Sequence, residues 1–348
     1  MKILAVDDDS IILRLLEQVI VALGDHELSV AASGHEALEV IAANAGAPFD
    51  CFMFDIQMPK MDGTELVQRV RQLPEYADTP ILMLTAMSDK RYIDRAFSAG
   101  ATDYVTKPFE VAELETRLSI LQKHAQQRQP LAKKIFAAMN GGMDGNAPME
   151  QPEFELYEPF SIYDVDNVID LNALENYLEQ LSRNSLFGST IFAVAIREVD
   201  LFFAGLTRFE FYSMISDVAE VVSDVLQGNQ YLMSYVGNGI FVCVTESGWR
   251  PVMEQVRDTI NLALARTELY NNAGQRLEPR MEAGEAIRLV WKSGSSLMSA
   301  LAEAHLSAED AVIAWERERG SVWLPEGSNR RRRRHPHHQH QQQQHRRR

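Results

Sequence analysis

Cysteine is scarce: the chain carries only Cys51 and Cys243, each inside an apolar run (CFMF and IFVCV) that reads as a buried strand. Two such thiols exclude a disulfide-stapled scaffold and fit a reducing compartment. No apolar run reaches the roughly 18 to 20 residues that a membrane span needs. The start, MKILAVDDD, turns acidic where a secretory leader stays apolar, so a soluble, cytoplasmic protein is expected. Positive charge is also in short supply. The net charge is −15, and eight of the arginines are confined to residues 330–348. An acidic body repels nucleic acid, and no helix-turn-helix with a basic recognition helix is visible. Duplex binding by either folded region is therefore not expected, and neither is a membrane partner.

What is present is 46% hydrophobic residues, spread in short runs over 348 residues, which suits two ordinary domains. Over residues 1–122, the runs KILAV, ELSVAA, CFMF, PILMLT and TDYVT read as strands. Helical periodicity fills the gaps at about Ser10–Leu23, Gly34–Ala43, Gly63–Gln72 and Asp89–Ala99, with a last helix from Glu110 onward. Strictly alternating strands and helices imply a parallel sheet covered on both faces, with its site at the carboxyl ends of the strands. Val111, Leu114, Leu118, Leu121 and Ala125 follow heptad spacing. That seam has two readings, packing on the sheet or a stalk that pairs two chains into a homodimer.

Residues 123–159 are rich in Gln, Gly, Pro and Glu and read as a helical extension followed by a flexible linker. A second region over 160–325 shows a helix at Leu171–Leu181, the strand TIFAVAI and a long helix near Glu210–Leu226. A hairpin-like pair, YLMSYV and IFVCVTE, turns about Gly237, Asn238 and Gly239, and helices follow at about Arg250–Leu269 and Gly294–Ala314. This order predicts an α+β sheet covered by helices on one side. Residues 326–348, rich in Arg, His and Gln, read as a disordered, solvated tail.

Three carboxylates should meet above the first sheet. Asp7 and Asp8 end the first strand and Asp55 ends the third. Clustered carboxylates demand a cation, and oxygen-only ligands suit Mg²⁺. Beside the metal, one of them can act as a nucleophile toward a phosphoryl donor. Thr85 ends the fourth strand, where its hydroxyl can donate to a phosphate oxygen, and Lys107 follows the fifth strand in TKPF. A cis bond is tolerated only before proline, and there it would aim the Lys107 ammonium at the carboxylates.

VDDD, DIQMPKMDG, the Thr85 strand end and the Lys107-Pro108 pair resemble the receiver domain of two-component response regulators. The resemblance implies a flavodoxin-like α/β fold over residues 1–122 and phosphorylation of Asp55 by a sensor histidine kinase or a phosphotransfer protein. It also implies Mg²⁺ held by Asp8, Asp55 and the backbone carbonyl of Gln57, with Asp7 acting through water. Thr85 and Tyr104 would form the switch, Thr85 moving toward the phosphate while Tyr104 turns inward.

The second region is similar to the GGDEF domain of diguanylate cyclases, but its hairpin reads YVGNGIF. Gly237 and Phe241 match the family pattern, Asn238 replaces the second glycine, and Gly239 and Ile240 occupy the positions of the two acids. In REVDLFF, Glu198, Asp200 and Phe202 fall in register with an earlier metal motif of the family, while Leu206 and Ile215 replace its guanine-binding polar residues. The upstream inhibitory motif is missing at Gly228–Tyr231. The resemblance therefore implies a catalytically inactive domain that passes the signal to an output protein. The competing expectations are an active cyclase making cyclic di-GMP from GTP and a nucleotide receptor without turnover.

Overall fold

The first five apolar runs form five parallel strands: β1 (Lys2–Val6), β2 (Glu27–Ala31), β3 (Cys51–Asp55), β4 (Ile81–Thr85) and β5 (Asp103–Thr106). They lie in the order β2-β1-β3-β4-β5. The computed structural model describes residues 1–24, 26–86, 90–123, 154–163, 165–180, 188–245, 248–289 and 296–322. Most of the expected linker, all of the Arg-rich tail and Ala125 lie outside those residues. None of the described helices is long and apolar enough to cross a membrane.

Side chains alternate along each strand, so the first sheet buries two faces. Ile3, Ala5, Cys51, Met53, Leu82, Leu84 and Val105 face one layer, formed by α1 (Ser10–Ala22) and α5 (111–123). Leu4, Val6, Phe52, Phe54, Ile81 and Met83 face the other, formed by α2 (Gly34–Ala43), α3 (Gly63–Arg71) and α4 (Lys90–Ser98). Three helices start just beyond strand ends because a polar side chain caps each. Asp9 accepts from the backbone N–H of Ile11, Ser33 from that of Glu36 and Asp62 from that of Glu65. Each such cap contributes roughly 1 kcal/mol.

Leu114, Leu118 and Leu121 are buried in the core shared with α1, while Val111 is exposed. The heptad seam is thus spent on the sheet up to Leu121, which is the first of the two sequence readings.

The second body contains α6 (Leu171–Gln180), β6 (Thr190–Ile196), α7 (Val199–Gly205), α8 (Arg208–Leu226), β7 (Tyr231–Tyr235), β8 (Ile240–Thr245) and α9 (Met253–Arg266). A short hairpin, β9 (Leu269–Tyr270) with β10 (Arg276–Leu277), leads to β11 (Met281–Ala283), β12 (Ile287–Arg288) and α10 (Ser296–Val322). Its main sheet is antiparallel in the order β11-β6-β8-β7, with β12 also pairing β6. Taken by chain order, β6, α8, β7, β8, α9 and β11 make a βαββαβ unit with its strands arranged fourth, first, third, second.

The expectation of helices on one side is corrected. Phe192, Val194, Phe241 and Cys243 pack with α8 and α9, whereas Ile191, Ala193, Val242 and Val244 pack with α6 and α10. Strands that are apolar at nearly every position, as TIFAVAI is after Thr190, need cover on both faces. Described residues before 160, the expected start of the second region, also pack with this body. Phe154 and Phe160 are buried side by side in its core, their ring centroids 5.0 Å apart. The chain divides after Val312, and the unit from Ile313 holds the end of α10, where the Arg319 guanidinium lies 5.3 Å from the Trp315 ring centre.

Candidate functional site

Asp7, Asp8 and Asp55 converge at the carboxyl edge of the parallel sheet. One oxygen from each lies within 4.8 Å of the others, and no other described residues bring three metal-ligating side chains together. Register explains the meeting: Val6 of β1 pairs Phe54 of β3, so the next residues, Asp7 just after β1 and Asp55 at the end of β3, emerge at the same level. Asp7 and Asp55 are buried and Asp8 is exposed. Each oxygen of Asp7 has a donor, the backbone N–H of Asp9 at 2.9 Å on Oδ1 and the Lys107 ammonium at 2.6 Å on Oδ2.

The Lys107 ammonium also donates to Oδ1 of Asp55 at 2.7 Å, and the Lys107-Pro108 bond is cis. Burial raises the Asp55 pKa, and the hydrogen bond and charge of Lys107 offset only part of that rise. Burial acts to lower the Lys107 pKa, but its hydrogen bonds to Asp55 and Asp7 outweigh it and the net shift is upward. Lys107 is therefore held as a cation against a carboxylate that water solvates poorly.

Three hard oxygen donors beside one ammonium fit Mg²⁺, which takes one or two carboxylates and keeps several waters. Gln57 follows two residues after Asp55, in the exposed turn at the same edge. Thr85 is buried at the end of β4, and its carbonyl accepts from the backbone N–H of Lys107 at 2.6 Å. Tyr104 points inward and is buried, its ring edge-on to Phe97 with centroids 6.2 Å apart. Burial, reinforced by the neighbouring Asp103, pushes the Tyr104 hydroxyl up to about 12.

One positioning residue escaped the sequence reading. A Cβ on Gly63 would stand 2.0 Å from the Asp55 carbonyl oxygen, and the Gly63 N–H donates to the Ile56 carbonyl at 2.9 Å. Only glycine lets the N-terminus of α3 sit this close to the end of β3. Its signal was present in the quoted DIQMPKMDG segment, as a glycine directly after a capping aspartate.

The residues singled out in the second body do not form a comparable cluster. Glu198 is the left-handed residue before α7, Asp200 is exposed in its first turn, and Phe202 packs against the core. Leu206 and Ile215 are buried. In the turn between β7 and β8, Gly237, Asn238 and Gly239 all have positive φ, at 88°, 52° and 70°. A Cβ on Gly239 would stand 2.6 Å from Cγ2 of Val199, and one on Gly237 would stand 2.3 Å from the Tyr157 carbonyl oxygen. The Asn238 N–H donates to the Leu156 carbonyl at 2.7 Å, so the segment before Phe160 lies across the turn. Ile240 and Phe241 are buried at the start of β8.

Residues 3–119 match the response regulator receiver domain family. The chain is 35% identical over 131 residues to a probable transcriptional regulator, ycf27, of Cyanidium caldarium, covering 38% of this chain and 50% of that protein. It is 32% identical over 151 residues to the transcriptional regulatory protein SrrA of Staphylococcus aureus, covering 42% and 60%. The chain thus spans about half the length of the curated relatives it matches. Among solved structures, a putative response regulator from Chloroflexus aurantiacus is 42% identical over 34% of this chain and 95% of its own, with a TM-score of 0.33. The chemotaxis protein CheY4 of Vibrio cholerae is 36% identical over 34% and 97%, with a TM-score of 0.32. With its five parallel strands and acidic pocket, the segment over residues 3–119 is a response regulator receiver domain.

Proposed function

We propose that the chain is a two-component response regulator in which a histidine kinase or phosphotransfer protein places a phosphoryl group on Asp55, and that the second body is a catalytically inactive GGDEF-like output module acting on another protein. The observation that carries the first half is the Lys107 ammonium held between Asp55 and Asp7 at 2.7 and 2.6 Å. In the transfer, a carboxylate oxygen of Asp55 attacks phosphorus, the P–N bond of the donor phosphohistidine breaks, and the imidazole leaves. Lys107 offers charge to the oxygens of the moving phosphoryl group, and the Thr85 hydroxyl donates to one of them. Mg²⁺, when bound by Asp8, Asp55 and the Gln57 carbonyl, neutralises negative charge on the phosphoryl group and the carboxylates. Incubation with a phosphoryl donor should label the wild type in an acid-labile form and leave Asp55→Asn unlabelled.

The βαββαβ order and the hairpin position support the likeness of the second body to a GGDEF domain. Two further observations support inactivity. No acid stands in the turn, and the backbone of Leu156 and Tyr157 occupies the space against it. Apolar Leu206 and Ile215 also offer nothing to the hydrogen-bonding edge of guanine. Assays with GTP and Mg²⁺ should give no cyclic di-GMP, and calorimetric titration with either nucleotide should give no heat of binding. Sustained turnover would establish the competing enzyme reading. The names of the two curated relatives favour a second reading, transcriptional output, which salt-dependent retention on DNA tests.

A further inference from the structure

A groove of about 1020 Å³ opens on the second body where α10 crosses the loop between β11 and β12, with Met253 at the start of α9 also lining it. The crossing is tight. A Cβ on Gly284 would stand 2.7 Å from the backbone nitrogen of Ala308, and the Glu285 N–H donates to Oγ of Ser307 at 2.7 Å. Ala300, Leu301, Ala304 and Ala308 turn one face of α10 onto the sheet and are buried in its core. The face left over carries Ser299, Ala302, Glu303, Leu306 and Asp310, which are all exposed and all line the groove.

Two properties of this face select its occupant. Its floor is apolar and low: Leu306 is 59% exposed and shares the groove with Met253 and with Ala283, Ala286 and Ala302, whose short side chains let another backbone come close. One exposed leucine is ordinary on a protein surface, but here it lies inside a concave site. The rim is acidic. Glu285, Glu303 and Asp310 line the groove and no Lys, Arg or His does, and none of the three carboxylates has an ion-pair partner among the described residues. On the same helix Glu309 does have one, His305 at 3.3 Å. From Ser299 to Asp310 the stripe runs along α10 for about 17 Å, or roughly three turns.

We infer that this groove docks a basic amphipathic helix of a partner protein, whose Lys or Arg side chains reach Glu285, Glu303 and Asp310 while its apolar edge covers Leu306 and Met253. A helical face such as that of α10 offers no backbone N–H or C=O for an added strand to pair. A helix satisfies its own backbone, so it is the form that fits. Attraction between the rim and the cationic side chains steers the partner and sets its register, and the apolar floor supplies the desolvated centre. Nucleic acid is the wrong sign for such a rim. No residue of the receiver lines the groove, so docking there does not require a phosphoryl group on Asp55. The inference rests on the reading of the second body as a protein-binding output module, and it names the chemistry of the partner.

The test uses the full chain and a fluorescein-labelled synthetic peptide, LKKLLKLLKKLLKL, which sets leucines on one helical face and lysines on the other. Its anisotropy should saturate with the wild type, and a matched peptide with Glu for every Lys should not bind. Leu306→Ser should raise the Kd about ten-fold or more, as loss of a central anchor does. Glu303→Lys with Asp310→Lys should weaken binding by about as much and remove most of its salt dependence. All three side chains are exposed, so these variants should keep the wild-type urea midpoint. Glu220→Lys with Asp224→Lys makes the same charge change on the exposed side of α8, outside the groove, and should leave the Kd within about two-fold. The docking site is overturned if the wild type does not bind the peptide, or if the α8 pair weakens binding as much as the groove pair. Two other occupants would overturn the partner reading. A peptide copying residues 128–141, where Lys133 and Lys134 stand among apolar residues, would assign the groove to this chain if it bound more tightly than the probe and lost affinity in Leu306→Ser. Dimerisation in sedimentation that Leu306→Ser abolishes would assign it to a second copy. Cyclic di-GMP production from GTP would remove the output-module reading alone, and peptide binding would still be decided by the groove variants.

Discussion

The α-carbon of Gly63 stands so close to the backbone of Asp55 that an added methyl would sit 2.0 Å from its carbonyl oxygen. The opposing atom is main chain at the end of a buried strand, so it cannot rotate away. Gly63→Ala must push α3 outward or displace Asp55. We expect a loss of about 1–3 kcal/mol in urea unfolding, as for other overpacked sites. Beryllofluoride affinity should fall with it, because the displaced residue is the proposed acceptor. Unchanged stability would mean that α3 moves freely at this point.

Lys107→Ala removes the only cation bonded to both Asp7 and Asp55 among the described residues. Two buried carboxylates would then face each other, and breaking such an arrangement typically costs about 3–5 kcal/mol. The loss should be largest at neutral pH and smaller near pH 5, because Asp55 already has a raised pKa and takes up a proton more readily once the ammonium is gone. Millimolar Mg²⁺ should restore part of the stability. Urea midpoints at both pH values, with and without the metal, check this.

Asp103 is fully buried, and burial pushes its carboxyl up to about 6, against the partial pull of Arg117 at 3.4 Å. Its folded pKa lies above its unfolded one, so the native state binds the extra proton between about pH 4 and 6. Wild-type stability is therefore favoured by acid in that window and falls as pH rises through 6, by up to about 3 kcal/mol for this group. Asp103→Asn should lack that component. The difference between the two unfolding profiles should be flat above pH 7 and slope between pH 4 and 6; a difference that is flat throughout would place the Asp103 pKa near its ordinary value.

Placing two acids in the hairpin turn should not produce cyclase activity. Gly239 has a φ of 70° and faces Val199, while Ile240 is buried. Gly239→Asp with Ile240→Glu should lower stability by roughly 2–5 kcal/mol, from strain at one position and an unpaired buried carboxylate at the other. Product assays with GTP should stay at background.

The receiver was legible because its information is local. Each strand is a short apolar run, each helix has its own period, and Asp7, Asp55, Thr85 and Lys107 are marked simply by standing at or just beyond strand ends. The second body was legible as elements but less so as an assembly. TIFAVAI did carry the sign of two-sided burial, an apolar run unbroken after Thr190, yet nothing local says which helices supply the cover. The closure of the β7–β8 turn by Leu156 and Tyr157 depends on a segment some eighty residues upstream. Tyr177 carried no mark at all, because on α6 it reads as one more apolar position of an amphipathic helix, and only the fold sets it against Asp94 and Phe97.

One continuous apolar cluster runs from Phe52 and Phe97 of the receiver through Tyr177 and Leu174 of α6 to Ile191 and Val242 of the second sheet. Neither part can melt without exposing oily surface on its neighbour. In the unmodified chain the two should share a single heat-absorption peak in scanning calorimetry. Excising either half would leave a fragment with a raw, sticky flank, and such fragments should precipitate at temperatures the intact chain survives.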